Sequence, residues 1–271
     1  MSFPRIFAAL LCAICALPAL SHEFWIAPLD YQTQSGDRLQ AHFRNGEEFE
    51  GITLSYFDRS SARFVMITQG KEIELTPRSG DSPALDVTAP VGDSLVVVAH
   101  ETAPSRLTYK AWEKFLKFAA HKDFPNAATD HIAAGWSQDR FRESYTRHAK
   151  ALIAVGSGSG ADRAVGMATE FVALTNPYEA SFANEMLVQL LLAGKPRPDA
   201  QVEVFARSPD GAVSVTLHRT GPDGIASIPV KRDHEYLFDA VTLRPFADYD
   251  GTENSPVWET LWAALTFKVP R

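Results

Sequence analysis

Short apolar segments separated by strong turn signals fill the last part of this chain, and they constrain its fold more than any other feature. Candidate strands are Met186–Leu192, Ala200–Ala206, Val213–His218, Ile225–Val230, Tyr236–Leu243 and Leu265–Val269. Between them stand Gly194–Pro198, Ser208-Pro209-Asp210-Gly211 and Gly221-Pro222-Asp223-Gly224. Proline fixes φ and glycine supplies a left-handed residue, so such clusters reverse the chain before a helix can form. Strands at this spacing over roughly 100 residues predict an immunoglobulin-like β-sandwich from residue 169 to 271.

The first half opens in the same style. Leu39, Ala41 and Phe43 alternate with Gln40, His42 and Arg44, the period of a half-buried strand, and Asn45-Gly46 supplies a turn. Ile52–Phe57, Phe64–Thr68 and Glu72–Leu75 are further candidates, and Leu95–Ala99, apolar on both faces, predicts a central covered strand. Between Ser105 and Leu152 the period changes. Trp112, Phe115, Leu116 and Ala119 follow helical spacing, and so do Phe141, Tyr145, His148 and Leu152. The expected fold is therefore mainly β. An N-terminal β domain with an α-helical insertion spans 22–155, a glycine-serine linker covers 156–168, and the sandwich follows.

Residues 1–21 read as a cleavable signal peptide. Arg5 precedes the apolar stretch Ile6–Leu17, and the small residues Ala19 and Ser21 place the cut before His22. The apolar stretch is shorter than the roughly 20 residues a membrane-spanning helix needs. The expected location is the periplasm, with no membrane span after cleavage. Both cysteines, Cys12 and Cys15, leave with the peptide, so the mature chain holds no disulfide and no thiolate metal site. Its 25 basic and 33 acidic side chains give a net charge of −8, counting the 26 basic residues less Arg5. No basic cluster marks a nucleic-acid surface.

No pair of histidines has a local zinc spacing, and His-Glu-x-x-His is absent. No motif groups serine, histidine and aspartate for hydrolysis either, so the expectation is a binding protein and not an enzyme. His22 stands apart. At a free N-terminus its α-amine and imidazole Nδ1 chelate one ion, and nitrogen donors suit copper(II), nickel(II) and zinc. A cut after Ala19 would instead place histidine third. His100 ends the central strand beside Glu101, a place where sites are built on rigid scaffolds. His148 shares an apolar face with Phe141 and Tyr145, and its ordinary reading is a buried, hydrogen-bonded side chain. His42, His121, His131, His218 and His234 lie in polar contexts and take no role. Trp258, Trp262 and Phe267 read as core packing, with a binding surface as the alternative.

Five segments together resemble a known bacterial family: His22-Glu23-Phe24-Trp25-Ile26, Val98-Ala99-His100-Glu101-Thr102, Ala149-Lys150-Ala151-Leu152-Ile153, Asn176-Pro177-Tyr178 and the stretch from Trp258 to Phe267. Its members are periplasmic proteins of largely uncharacterised function, described as substrate-specific components of nickel or cobalt uptake. The resemblance implies binding of a divalent transition metal, nickel, cobalt or copper, and service to a membrane metal transporter. His22 is the first ligand it suggests, with His100 and His148 as the further candidates from the residues. One position departs: many relatives carry a histidine within the segment Asp239–Leu243, where this chain has Thr242. Two readings from other classes stand beside this one. The first is a β module that binds a protein or glycan without metal. The second is a copper oxygenase built on the N-terminal histidine.

Overall fold

The computed structural model describes residues 22–271, so the signal-peptide reading of 1–21 lies outside the described residues. The first part of the chain runs through β1 (Glu23–Pro28), β2 (Gln32–Thr33), β3 (Arg38–Glu47), β4 (Glu50–Leu54), β5 (Ser61–Thr68), β6 (Lys71–Glu74), β7 (Leu85–Thr88), β8 (Ser94–Thr102) and β9 (Ser105–Tyr109). Helices α1 (Trp112–His121) and α2 (Ala127–Ala133) follow, then the long strand β10 (Phe141–Val155). The rest is β11 (Thr169–Ala173), β12 (Glu185–Leu192), β13 (Lys195–Pro196), β14 (Gln201–Arg207), β15 (Val213–Arg219), β16 (Ile225–Pro229), β17 (Glu235–Pro245) and β18 (Pro256–Lys268).

The mainly-β expectation holds, with a helical insertion. Leu39, Ala41 and Phe43 point into the core from β3, and β8 is buried on both faces between β5 and β10. In the C-terminal part, β11, β12 and β16 face β15, β14, β17 and β18, the two-sheet arrangement of an immunoglobulin-like sandwich. Phe171, Met186 and Val188 from one sheet pack against Val204, Phe238 and Leu265 from the other. Trp258 and Trp262 lie in strand β18 and are buried, as core packing requires.

The segment Phe141–Leu152 is a correction. It reads as a helix by its apolar spacing but forms the 15-residue strand β10. From His148 to Val155 every residue is buried, because the strand is covered on both faces, and the period-2 alternation that marks a strand disappears. Leu152 and Ala154 face one core, while Ala149, Ala151, Ile153 and Val155 face the other. One edge of β10 pairs with β9 and β8, and the other pairs in parallel with β18. A single ten-stranded sheet thus runs through both halves of the molecule.

The glycine-serine stretch after β10 is anchored and does not hang free as a tether. Asn176 Nδ2 donates to the carbonyls of Gly158 and Gly160 at 2.8 and 3.0 Å, and Leu95 N–H donates to Ser159. A side chain at Gly158 would collide with Tyr178, whose hydroxyl donates to the Leu152 carbonyl. This accounts physically for Asn176-Pro177-Tyr178. Among the described residues no helix is long and apolar enough to cross a membrane.

Candidate functional site

Helix α1 buries Phe115, Phe118 and Ala119, and it ends by turning Lys122 inward. Three strands supply its partners. Glu23 begins β1, while Glu203 and Asp239 are cross-strand neighbours on β14 and β17, so their carboxylates share a face. Lys122 Nζ donates to Glu23 Oε1 at 3.0 Å, Glu203 Oε2 at 2.6 Å and Asp239 Oδ2 at 3.0 Å. All four side chains are at most 5% exposed.

One ammonium meets three carboxylates by hydrogen bond, and the Arg147 guanidinium adds a second positive charge that acts on Glu23 and Asp239. Burial pushes the Glu23 carboxyl up to about 7, against the pull of Lys122, and burial raises Asp239 as well. Burial also works to raise Glu203, but hydrogen bonding to His121 and the charge of Lys122 outweigh it and hold that carboxyl below its usual range. Burial opposes the charge on Lys122, yet the three carboxylates keep its pKa above the ordinary lysine value.

Lys122 takes one oxygen from each carboxylate, and the remaining oxygens decide what the site can do. Glu203 Oε1 lies 3.1 Å from His121 Nε2. Glu23 Oε2 is sealed from solvent and has no hydrogen-bond partner. A cavity of about 170 Å³ is lined by Glu23, Glu47, Glu48, Glu203, His121 and Lys122, with Phe118 and Phe205 as apolar wall. Glu23, Glu203 and Asp239 each offer an oxygen within 4.8 Å of the others, close enough to share an ion. Imidazole nitrogen suits transition metals and carboxylate oxygen suits harder divalent ions, and the Lys122 ammonium lies within 3.0 Å of all three carboxylates.

The three histidines expected as ligands do not meet. His22 does not line the acidic cavity; its Nδ1 lies 3.2 Å from Oε1 of Glu47, which does, and its side chain is 44% exposed. His100 points into the N-terminal core, its ring 4.2 Å from that of Phe43 and 5.5 Å from that of Phe24. Ser61 Oγ lies 2.9 Å from its Nε2, and burial lowers its pKa to about 3. His148 projects from the other face of the same sheet, with Nδ1 3.0 Å from the Trp262 carbonyl and Nε2 4.0 Å from Glu101 Oε2. Burial lowers its pKa too, with Glu101 opposing. Thr242 lies across β18 from Thr146, on the His148 face, and its Oγ1 is buried without a partner.

The sequence reading therefore missed Glu23, Lys122, Glu203, Asp239 and Glu47, and gave His121 no role. A signal existed. Glu203 stands between Val202 and Val204, and Asp239 between Phe238 and Ala240, so each puts a charge inside a buried strand.

A family model described as a domain of unknown function, DUF4198, matches residues 19–244. No curated protein matches. Among solved structures, the chain is similar to a tetra-tandem repeat in the extending region of a large adhesion protein, at 12% identity and a TM-score of 0.21, covering 90% of this chain and 49% of that one. The chain spans about half the length of that structure. The D0-D1 domain of intimin is similar at 10% identity and a TM-score of 0.19, covering 91% of this chain and 97% of that one. Scores this low carry no argument about function.

Proposed function

This chain belongs to the DUF4198 family of domains of unknown function, and from that premise we propose that it binds a divalent transition-metal ion in the periplasm. Nickel, cobalt and copper are the ions favoured, and support of metal uptake or homeostasis, without catalysis, is the role. The observation that carries this reading is Glu23: its Oε2 is buried with no partner, and the residue lines an acidic cavity that also holds His121. A polar atom left unsatisfied at such a place costs stability, and an arriving cation would satisfy it.

His22 adds a second donor through its contact with Glu47. Cleavage before it would free an α-amine beside Glu47. Binding displaces protons, and with the Glu23 carboxyl at about 7 the ion competes with a proton near neutrality. Affinity should therefore fall as pH drops below 7.

Calorimetric titration of nickel(II), cobalt(II) and copper(II) into the mature protein tests this. The expected result is one high-affinity ion per chain, weakened about tenfold or more in Glu23→Gln and Glu47→Gln, both with native circular dichroism. Adding one glycine before His22 should weaken binding as well. Equal affinity in wild type and Glu23→Gln would remove the reading.

A further inference from the structure

We propose that a second cavity, on the Arg147 side of His22, binds a small organic dianion, a dicarboxylate or a phosphate ester. The cavity measures about 460 Å³, within the range of small-molecule sites. His22, Asn45, Lys110, Lys114, Tyr145 and Arg147 line it, and none of the described residues in its wall is acidic. That is a local inversion of charge, because the whole chain carries a formal net charge of −7. Leu107 and Phe118 add an apolar surface for a carbon skeleton.

Arg147 is the fixed element. It projects from the middle of β10, where its guanidinium lies 4.8 Å from the Tyr145 ring centroid and donates one NH to the His22 carbonyl at 2.9 Å. Its Nε is sealed from solvent, and the guanidinium is held in place by the Tyr145 ring and the His22 carbonyl. Glu23, Asp239 and Glu143 act on it through charge, without a hydrogen bond to it. Glu23 and Asp239 accept from Lys122, and Glu143 accepts from Tyr109 and Thr260. Lys110 follows β9 and Lys114 lies in the first turn of α1, both exposed, so their ammonium groups can reach a ligand across the mouth. A planar, anchored guanidinium with two mobile ammonium groups suits a ligand with two separated negative charges.

This site is distinct from the metal reading and is tested without metal. Full-length chain stripped of metal is titrated calorimetrically with succinate, glycerol 3-phosphate and inorganic sulfate at matched ionic strength. The expected result is saturable binding of succinate or glycerol 3-phosphate, the stronger one naming the ligand class, and at least about tenfold weaker sulfate binding. The exposed double substitution K110A/K114A should weaken the organic anion about tenfold while leaving the fold intact, with a matching loss of salt dependence. Arg147→Gln should abolish binding, and its far-ultraviolet spectrum shows whether it folds. Sulfate binding as tightly as either organic anion, an adventitious ion only, would overturn the proposal. So would affinity unchanged in K110A/K114A, or no binding by any of the three.

Discussion

Two lysines are buried in this molecule among carboxylates, and their surroundings differ in one respect. Lys150, on β10, donates to Asp162 at 2.9 Å, to the carbonyls of Arg163 and Phe171 at 3.0 Å each, and to Glu170 at 3.4 Å. Glu170 also accepts from the amides of Val165, Gly166 and Met167, and Asp162 from that of Ala173. No buried atom of that group lacks a partner. Lys122 instead faces three carboxylates and leaves Glu23 Oε2 without a partner. A closed network specifies structure, and an open one of the same chemistry leaves an acceptor that another donor or cation can satisfy.

Substitutions should separate the two. Lys150→Met strands Asp162 and Glu170 in the interior, and urea unfolding should show a loss of about 3–5 kcal/mol with metal binding unchanged in the folded fraction. Lys122→Met should cost about 3 kcal/mol at pH 8 and less at pH 6, where Glu23 can take up a proton. An equal loss at both pH values would mean that Lys122 is closed in by its partners as Lys150 is.

The pH dependence sharpens the contrast. The folded Glu23 carboxyl titrates near 7, above its ordinary value of 4.5, so the folded state holds its proton more tightly than the unfolded chain. That contribution stabilises the fold at low pH and is lost as pH rises from about 4.5 through 7. Its size is on the order of 2–3 kcal/mol. Glu143, also raised to about 7 by burial, adds a slope of the same sign. Glu23→Gln should flatten its own share of the slope, as read from urea midpoints between pH 4.5 and 8. His121→Gln should have the smallest effect, under about 1 kcal/mol, because that side chain is 56% exposed. Hydrogen bonding to Glu203 raises the His121 pKa, so its contribution is present at low pH and disappears as pH rises through the raised value.

The sequence made the architecture more legible than the site. Strands with one wet face, such as β3, announce themselves by alternation, and the turns of the C-terminal sandwich carry their own proline and glycine signals. Strand β10 did not, because two cores cover it and erase the alternation. The site was hidden for another reason. Lys122 meets partners 81 to 117 residues away in the chain, brought together by the junction of β1, β14 and β17 with the end of α1. Local motif spacing cannot encode such a meeting. His22 was readable because its position next to the expected cleavage point singles it out. Glu23, one residue on, carries no such mark, and only the structure shows it beginning β1 with its side chain in the cluster.

Anomalous diffraction from crystals of the mature protein soaked in nickel(II) or copper(II) tests the central claim most directly. Metal binding at this site predicts one strong peak in the cavity beside Lys122, about 2.0–2.2 Å from a Glu23 carboxylate oxygen, and none at the Lys150 group. A peak at His148 and Glu101 with the Glu23 cavity empty would contradict it.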